Sequence, residues 1–152
     1  MAREILFRGK RIDNGEWVNG YVTRIKRADD NGNAESYYFN ALDELGWIAK
    51  CAVSAETVCQ YTGLADKNGR KIFEGDIITY QHDNDDCPFP NKDTKRRVGR
   101  VYFQEFRSCF AVAEGRNGTD RINQDLFKYV QNGNRVEVIV NIFDNPELME
   151  VD

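Results

Sequence analysis

Apolar residues in this chain come in short runs, separated by polar breaks rich in Gly, Asn and Asp. Ile5 and Phe7, then Trp17, Tyr21 and Ile25, alternate partly with polar residues on either side of Asp13-Asn14-Gly15-Glu16. Alternation interrupted by Asn-Gly predicts a hairpin, with strands over residues 3 to 12 and 17 to 26. Asn19-Gly20 inside the second strand marks an expected bulge. Polar residues 27 to 33 read as a turn, and Tyr37-Tyr38-Phe39 as a strand, because aromatics favour a pleated, half-buried surface. One helical turn behind an Asn40 cap is expected over residues 41 to 45, followed by a strand over 47 to 53.

The second half continues in the same manner. Residues 76 to 81 predict a strand, 82 to 95 a polar loop holding Pro88 and Pro90, and 98 to 106 with 109 to 113 a strand pair turning near Arg107-Ser108. Leu126, Phe127 and Val130 fall on one face of a helix over residues 123 to 131, with Asn123 as its cap and Asn132-Gly133 as its stop. Residues 135 to 143 carry Val136, Val138, Ile139, Val140 and Ile142, a β-branched run expected to be buried on both faces. Six Asn-Gly pairs punctuate the chain. The expected fold is mainly β, with short strands and hairpins, an SH3-like barrel-type second half and one short helix. The expected organisation is one domain over residues 1 to 152, with an N-terminal β lobe over 1 to 60 and a barrel-like lobe over 61 to 152.

Residues 61 to 78 are expected to join the two lobes. Gly63, Asn68, Gly69, Glu74, Gly75 and Asp76 supply turn chemistry there: Gly permits unusual dihedrals and short acids accept bonds from backbone amides. Glu74-Gly75-Asp76 before Ile77-Ile78 resembles the start of the first strand in SH3-like barrels.

Composition narrows the function classes. The chain has 152 residues, 41% apolar and 30% charged, values of an ordinary folded protein that needs no cross-links to build a core. The first ten residues hold an apolar run too short for a signal peptide, and no window approaches the length of a membrane helix. Residence in the cytoplasm, with no membrane contact, is therefore expected. Cys51, Cys59, Cys87 and Cys109 show no Cys-x-x-Cys spacing, which predicts thiols rather than a disulfide frame or zinc site. Asn117-Gly118-Thr119 fits a glycosylation triplet, but off the secretory route it signifies an exposed turn. A net charge of −4 and a pI near 5.1 argue against a protein built mainly to coat nucleic acid.

Three groups of residues could carry chemistry. Asp66, Glu74 and Asp76 could form a catalytic carboxylate set if burial separated their pKa values, although turn formation accounts for them more simply. His82, Asp83, Asp85, Asp86 and Cys87 are metal-ligand types, but consecutive positions on a proline-containing loop do not converge on one ion without a special fold. Asp29-Asp30-Asn31-Gly32-Asn33 fails as a calcium loop, since Ala34 stands where Gly is needed and Asn40 where the final Glu is needed. The third group is basic: Lys92, Lys95, Arg96, Arg97, Arg100 and Arg107, with Tyr102, Phe103 and Phe106 interleaved. Cations neutralise phosphates and aromatics stack on bases, so Arg96, Arg97, Arg100, Tyr102 and Arg107 form the candidate nucleic-acid surface. No nucleotide-binding glycine motif and no nucleophile frame occurs, so no catalytic residue, cofactor or metal is expected.

Several phrases in fixed order connect the chain to a known family. Phe7-Arg8-Gly9-Lys10 leads to Trp17 and Gly20, then Glu56-Thr57-Val58, Gln60-Tyr61-Thr62-Gly63-Leu64 and Asp66-Lys67-Asn68-Gly69. Ile72-Phe73-Glu74-Gly75-Asp76-Ile77, Asn141-Ile142 and Asn145-Pro146-Glu147-Leu148 complete the series. On these phrases the sequence is similar to the YopX family of small phage and prophage proteins. The resemblance implies a phage origin, a mostly β fold and cytoplasmic expression in a bacterial host; it carries over no reaction and no catalytic residue. Val140 departs from the usual Gly before Asn-Ile, and residues 82 to 95 match no fixed motif. The functional expectation is a non-enzymatic accessory protein that binds a protein partner or associates with itself, with nucleic-acid binding through residues 92 to 107 as the alternative.

Overall fold

A computed structural model describes residues 3–27, 34–42, 48–81, 96–114, 125–131 and 135–149. The chain is mainly β, with two antiparallel sheets and one short α-helix among the described residues, and divides into two compact units, Met1–Tyr61 and Thr62–Asp152.

In the first unit, β1 (Phe7–Lys10) and β2 (Trp17–Arg27) form the hairpin expected from the Asn-Gly signal, with Lys10 opposite Trp17 and Phe7 opposite Gly20. Gly15 takes φ 71°, and Asn14 Oδ1 accepts from the Glu16 amide at 2.9 Å, so local side chains close the turn. The bulge expected at Asn19-Gly20 is not formed. Gly20 is instead where β2 changes partner, and from Tyr21 onward it pairs with β3 (Ala34–Leu42). At Ala41 and Leu42 the helical turn expected behind Asn40 gives way to strand, since β3 runs through Leu42 and pairs on both sides, with β2 and with β4 (Ile48–Val53); the rest of that turn lies outside the described residues. Two ladders of backbone bonds outweigh one side-chain cap.

The end of β4 returns to the start of the unit. Arg11 bridges Val53, the Ile12 amide donates to the Ala52 carbonyl at 3.1 Å, and the Ser54 amide donates to the Lys10 carbonyl at 2.8 Å. A 3₁₀ turn at Ala55–Thr57 follows, and the Thr57 hydroxyl oxygen accepts from the Lys10 amide at 2.8 Å. Phe39 and Val53 fill the interior against Gly9: a Cβ there would lie 3.3 Å from both, so β1 approaches them only without a side chain.

Strand β5 (Cys59–Ala65) spans the division between the units; Gln60 and Cys59 pair with Phe7 and Arg8 of β1. In the second unit come β6 (Lys71–Phe73), β7 (Asp76–Gln81), β8 (Arg96–Gln104), β9 (Cys109–Glu114), helix α1 (Leu126–Gln131) and β10 (Glu137–Asn141). The four-stranded sheet has the order β10-β7-β8-β9. In β8, Gly99 and Val101 are buried while Val98 and Arg100 on the other face are more accessible, the period-2 signature of a sheet with one face on a core. That core holds Ile78, Tyr80, Val101, Val112, Leu126, Tyr129, Val136 and Val138. Tyr80 and Tyr129 stack at a tilt, with ring centroids 4.7 Å apart.

Two expectations change here. Residues 135 to 143 are not a strand buried on both faces: β10 is an edge strand with a register shift between Val138 and Val140, and Ile139 between them is 43% exposed. The β-branched run therefore serves a bulged edge, which is harder to extend by further pairing. On α1, Leu126 and Tyr129 face the core while Phe127 is 53% exposed, and Asp125 caps the helix by accepting from the Phe127 amide at 3.0 Å. The expected cap Asn123 and stop Asn132-Gly133 lie outside the described residues.

Burial pushes the Tyr80 phenol up to about 12 and raises Tyr129 as well, because an apolar core resists phenolate. The unfolded chain ionises near 10, so the native state holds these protons more tightly. Stability should be level up to pH 10 and fall as pH rises from there to about 12. Urea unfolding midpoints at pH 9, 10 and 11 check this, and Tyr80→Phe should reduce the decline. Gly99→Ala should cost about 2 kcal/mol in the same assay, because its Cβ would lie 2.5 Å from Val112 Cγ1 and 3.0 Å from both Tyr80 Cε1 and the Ala113 carbonyl oxygen.

Candidate functional site

Asp66 opens the turn between β5 and β6, and its carboxylate is buried. Oδ1 accepts from the Asn68 and Arg70 amides, both at 2.9 Å, and so closes the turn around itself. Oδ2 accepts from the Val138 amide at 3.1 Å, which ties the turn to β10, 72 residues later. The Lys67 amide adds a backbone bond to the Val136 carbonyl at 2.9 Å, and Gly69, at φ 80°, donates to the Asp66 carbonyl at 3.0 Å. Both carboxylate oxygens are thus occupied by backbone donors, an arrangement suited to holding structure rather than to moving protons.

Asp76 repeats the device at the next turn. It is buried, and Oδ2 accepts from the Phe73 amide at 2.9 Å across Glu74 and Gly75. Gly75 takes φ 84°, donates to the Val101 carbonyl at 2.8 Å and accepts from the Ile142 amide at 3.0 Å. Glu74 is half-buried. Gly63 lies within β5 at φ 84° and is exposed, and a Cβ there would meet nothing within 4 Å, so only its dihedral calls for glycine.

Among the described residues the basic run is divided. Strand alternation places Arg96, Arg100 and Tyr102 on one face of β8 and Arg97 on the other. Arg96 and Lys67 both bind Glu137 on β10, and these hydrogen bonds, Lys67 first, hold the Glu137 carboxyl below its ordinary range. Arg97 pairs with Glu114 of β9 at 3.1 Å. Two of the four described arginines are thus engaged by acids, while Arg107 sits apart on the turn over residues 105 to 108. Lys92 and Lys95 lie outside the described residues, as do His82, Asp83, Asp85, Asp86 and Cys87. Cys59 is buried, and Cys51 and Cys109 are half-buried thiols. Among the described residues no group of three or more His, Cys, Asp or Glu side chains is arranged to hold a metal.

Two features stand out in the structure. The first is Phe106, one of the aromatics interleaved with the basic run, which is 97% exposed on the β8–β9 turn beside exposed Arg107. The turn closes through the Ser108 amide and the Glu105 carbonyl, with Ser108 at φ 50°, and nothing in it requires an aromatic side chain. The second is an open groove of about 820 Å³ in the first unit, walled by the β1–β2 turn, by Tyr37 and Tyr38, and by the 3₁₀ turn with Glu56 at its rim. It exists because β4 returns onto the residues after β1, a pairing with no local signature. At the neighbouring Trp17, the Arg8 guanidinium and Lys10 ammonium lie 4.8 and 5.4 Å from the ring centroid.

A family model described as YopX protein matches residues 6–150. The crystal structure of protein EF1440 from Enterococcus faecalis aligns over 97% of this chain and 99% of that one, with a TM-score of 0.51 and 24% identity, a likeness of fold. No curated protein matches the chain. Among the described residues no helix is long and apolar enough to cross a membrane.

Asp66→Ala leaves three backbone amides without their acceptor and should cost about 3 kcal/mol or more, with Asp66→Asn costing roughly half as much. Gly75→Val should cost about 2 kcal/mol or more through its left-handed backbone. Chemical denaturation of the three variants beside the parent measures both effects.

Proposed function

The chain belongs to the YopX family, and from that premise we propose that it acts without catalysis, by binding a protein partner or a further copy of itself. On this reading it is an accessory protein of a phage or prophage, working in the cytoplasm of the bacterial host, with an SH3-like barrel-type second unit. The observation that carries the proposal is Phe106. A phenyl ring 97% exposed on a short, bonded turn contributes nothing to the fold there, whereas an aromatic beside an arginine is the composition of an interface anchor. The carboxylates that could have formed a catalytic set support the same direction, since Asp66 and Asp76 are engaged with backbone amides.

Nucleic-acid binding is the second reading, favoured by Arg100, Tyr102 and Arg107 on one hairpin. It is weakened by the acids that hold Arg96 and Arg97 and by the net charge of −4.

Phe106→Ala should change stability by less than about 0.5 kcal/mol while lowering affinity for the protein partner about tenfold or more. Quantitative capture from host-cell extract by the parent and the variant, alongside sedimentation of the pure chain, reads this out. A salt-dependent mobility shift with DNA or RNA, lost when Arg96, Arg97 and Arg100 are changed to Glu, would replace the protein reading with the nucleic-acid one.

A further inference from the structure

The β8–β9 hairpin of the second unit carries two exposed phenylalanines. Phe106 stands 97% exposed on the turn, and Phe103, roughly 10 Å back along β8, is 41% exposed. Phe103 meets Phe110 of β9 edge to face, with ring centroids 5.3 Å apart, and the pair stays partly open to solvent because Phe106 does not cover it. One element thus bears both a projecting ring and an uncovered aromatic seat. Glu105 and Arg107 bracket Phe106; both are exposed, and neither is held in an ion pair among the described residues. The tip is therefore neutral as a whole, with opposite charges on its two sides. A nucleic-acid strand would meet Glu105 as a like charge, whereas a surface carrying a base and an acid in the reverse order would attract both side chains. A second copy turned about a twofold axis presents that reverse order.

We propose that two copies pair through their β8–β9 tips about a twofold axis, each Phe106 packing on the Phe103–Phe110 pair of the other copy and each Arg107 meeting the other copy's Glu105. The pairing rests on the binding reading above and commits it to a second copy as the partner. Residue 106 meets residue 103 and residue 103 meets residue 106, so every contact occurs twice and the assembly closes at two. Aromatics lie at its centre and charges at its rim, the usual arrangement of an interface. Only a few side chains are covered, less than in a standard interface, which places the association in the weak range and its measurement at high protein concentration.

Sedimentation velocity across a concentration series tests the pairing, with circular dichroism confirming that each variant is folded. The parent should form dimers and nothing larger, Phe106→Asp should be monomeric, and Phe103→Ala should weaken association about tenfold. Glu105→Arg leaves two cations on each tip and Arg107→Glu two acids, so each variant alone should associate about tenfold or more weakly than the parent. Mixed one to one, these two variants should regain the loss as heterodimers, and the double variant Glu105→Arg with Arg107→Glu should regain it alone. A monomeric parent at the highest attainable concentration, growth beyond dimers, association that survives Phe106→Asp, or no recovery in the mixture overturns the inference. If the parent is monomeric yet loses a captured host protein on Phe106→Ala, self-pairing is refuted and the binding reading stands; if neither association nor capture depends on Phe106, both fall.

Discussion

The Asp66 carboxylate is the contact on which most of the second unit depends. It accepts two amides of its own turn and one from β10, and so joins a local element to a strand 72 residues away. Three acceptor bonds from one buried, charged group are worth more than the same bonds to neutral acceptors, and removing the group leaves three backbone donors without that acceptor, the Val138 amide in a buried position. The outer side of β10 is thereby tied to the turn through the Val138 amide and the Val136 carbonyl. An edge strand that would otherwise offer an unpaired ladder is partly covered, and the bulge around Ile139 discourages further pairing.

Asp76 and Gly75 extend the same logic. The aspartate closes its turn through the Phe73 amide, and the glycine, free to adopt φ 84°, bonds to β8 through Val101 and to the residue after β10 through Ile142. Asp66 and Asp76, two of the acids that look catalytic when read in isolation, thus both accept from backbone amides. Phe106, Arg107 and Glu56, by contrast, are exposed on turns.

Charge is distributed in a related way. Arginines adjacent along β8 point to opposite faces and meet different acids, Arg96 with Glu137 and Arg97 with Glu114. Among the described residues of the basic run, two arginines are neutralised in pairs, while Arg100 and Arg107 add to the hairpin's positive charge. Neutralised pairs on a sheet surface add little stability, but they reduce the field that would draw a polyanion.

Features that depend on local geometry were legible in the chain. Asn14-Gly15, Asn68-Gly69 and Glu74-Gly75-Asp76 specify turns, because left-handed dihedrals and short acceptor side chains act within a few residues. The alternation in β8, the ordered phrases of the family and the mainly β character were legible for the same reason. Long-range packing fixed which distant partner each element meets. It extended β3 through Leu42, where a helical turn was expected, because two ladders were available to it. It turned Tyr129 rather than Phe127 inward and returned β4 onto the residues after β1 to form the groove. It also placed an acid against Arg96 and Arg97 and left Phe106 in solvent. These outcomes depend on contacts between residues far apart in the chain, and no local pattern encodes the identity of the neighbour.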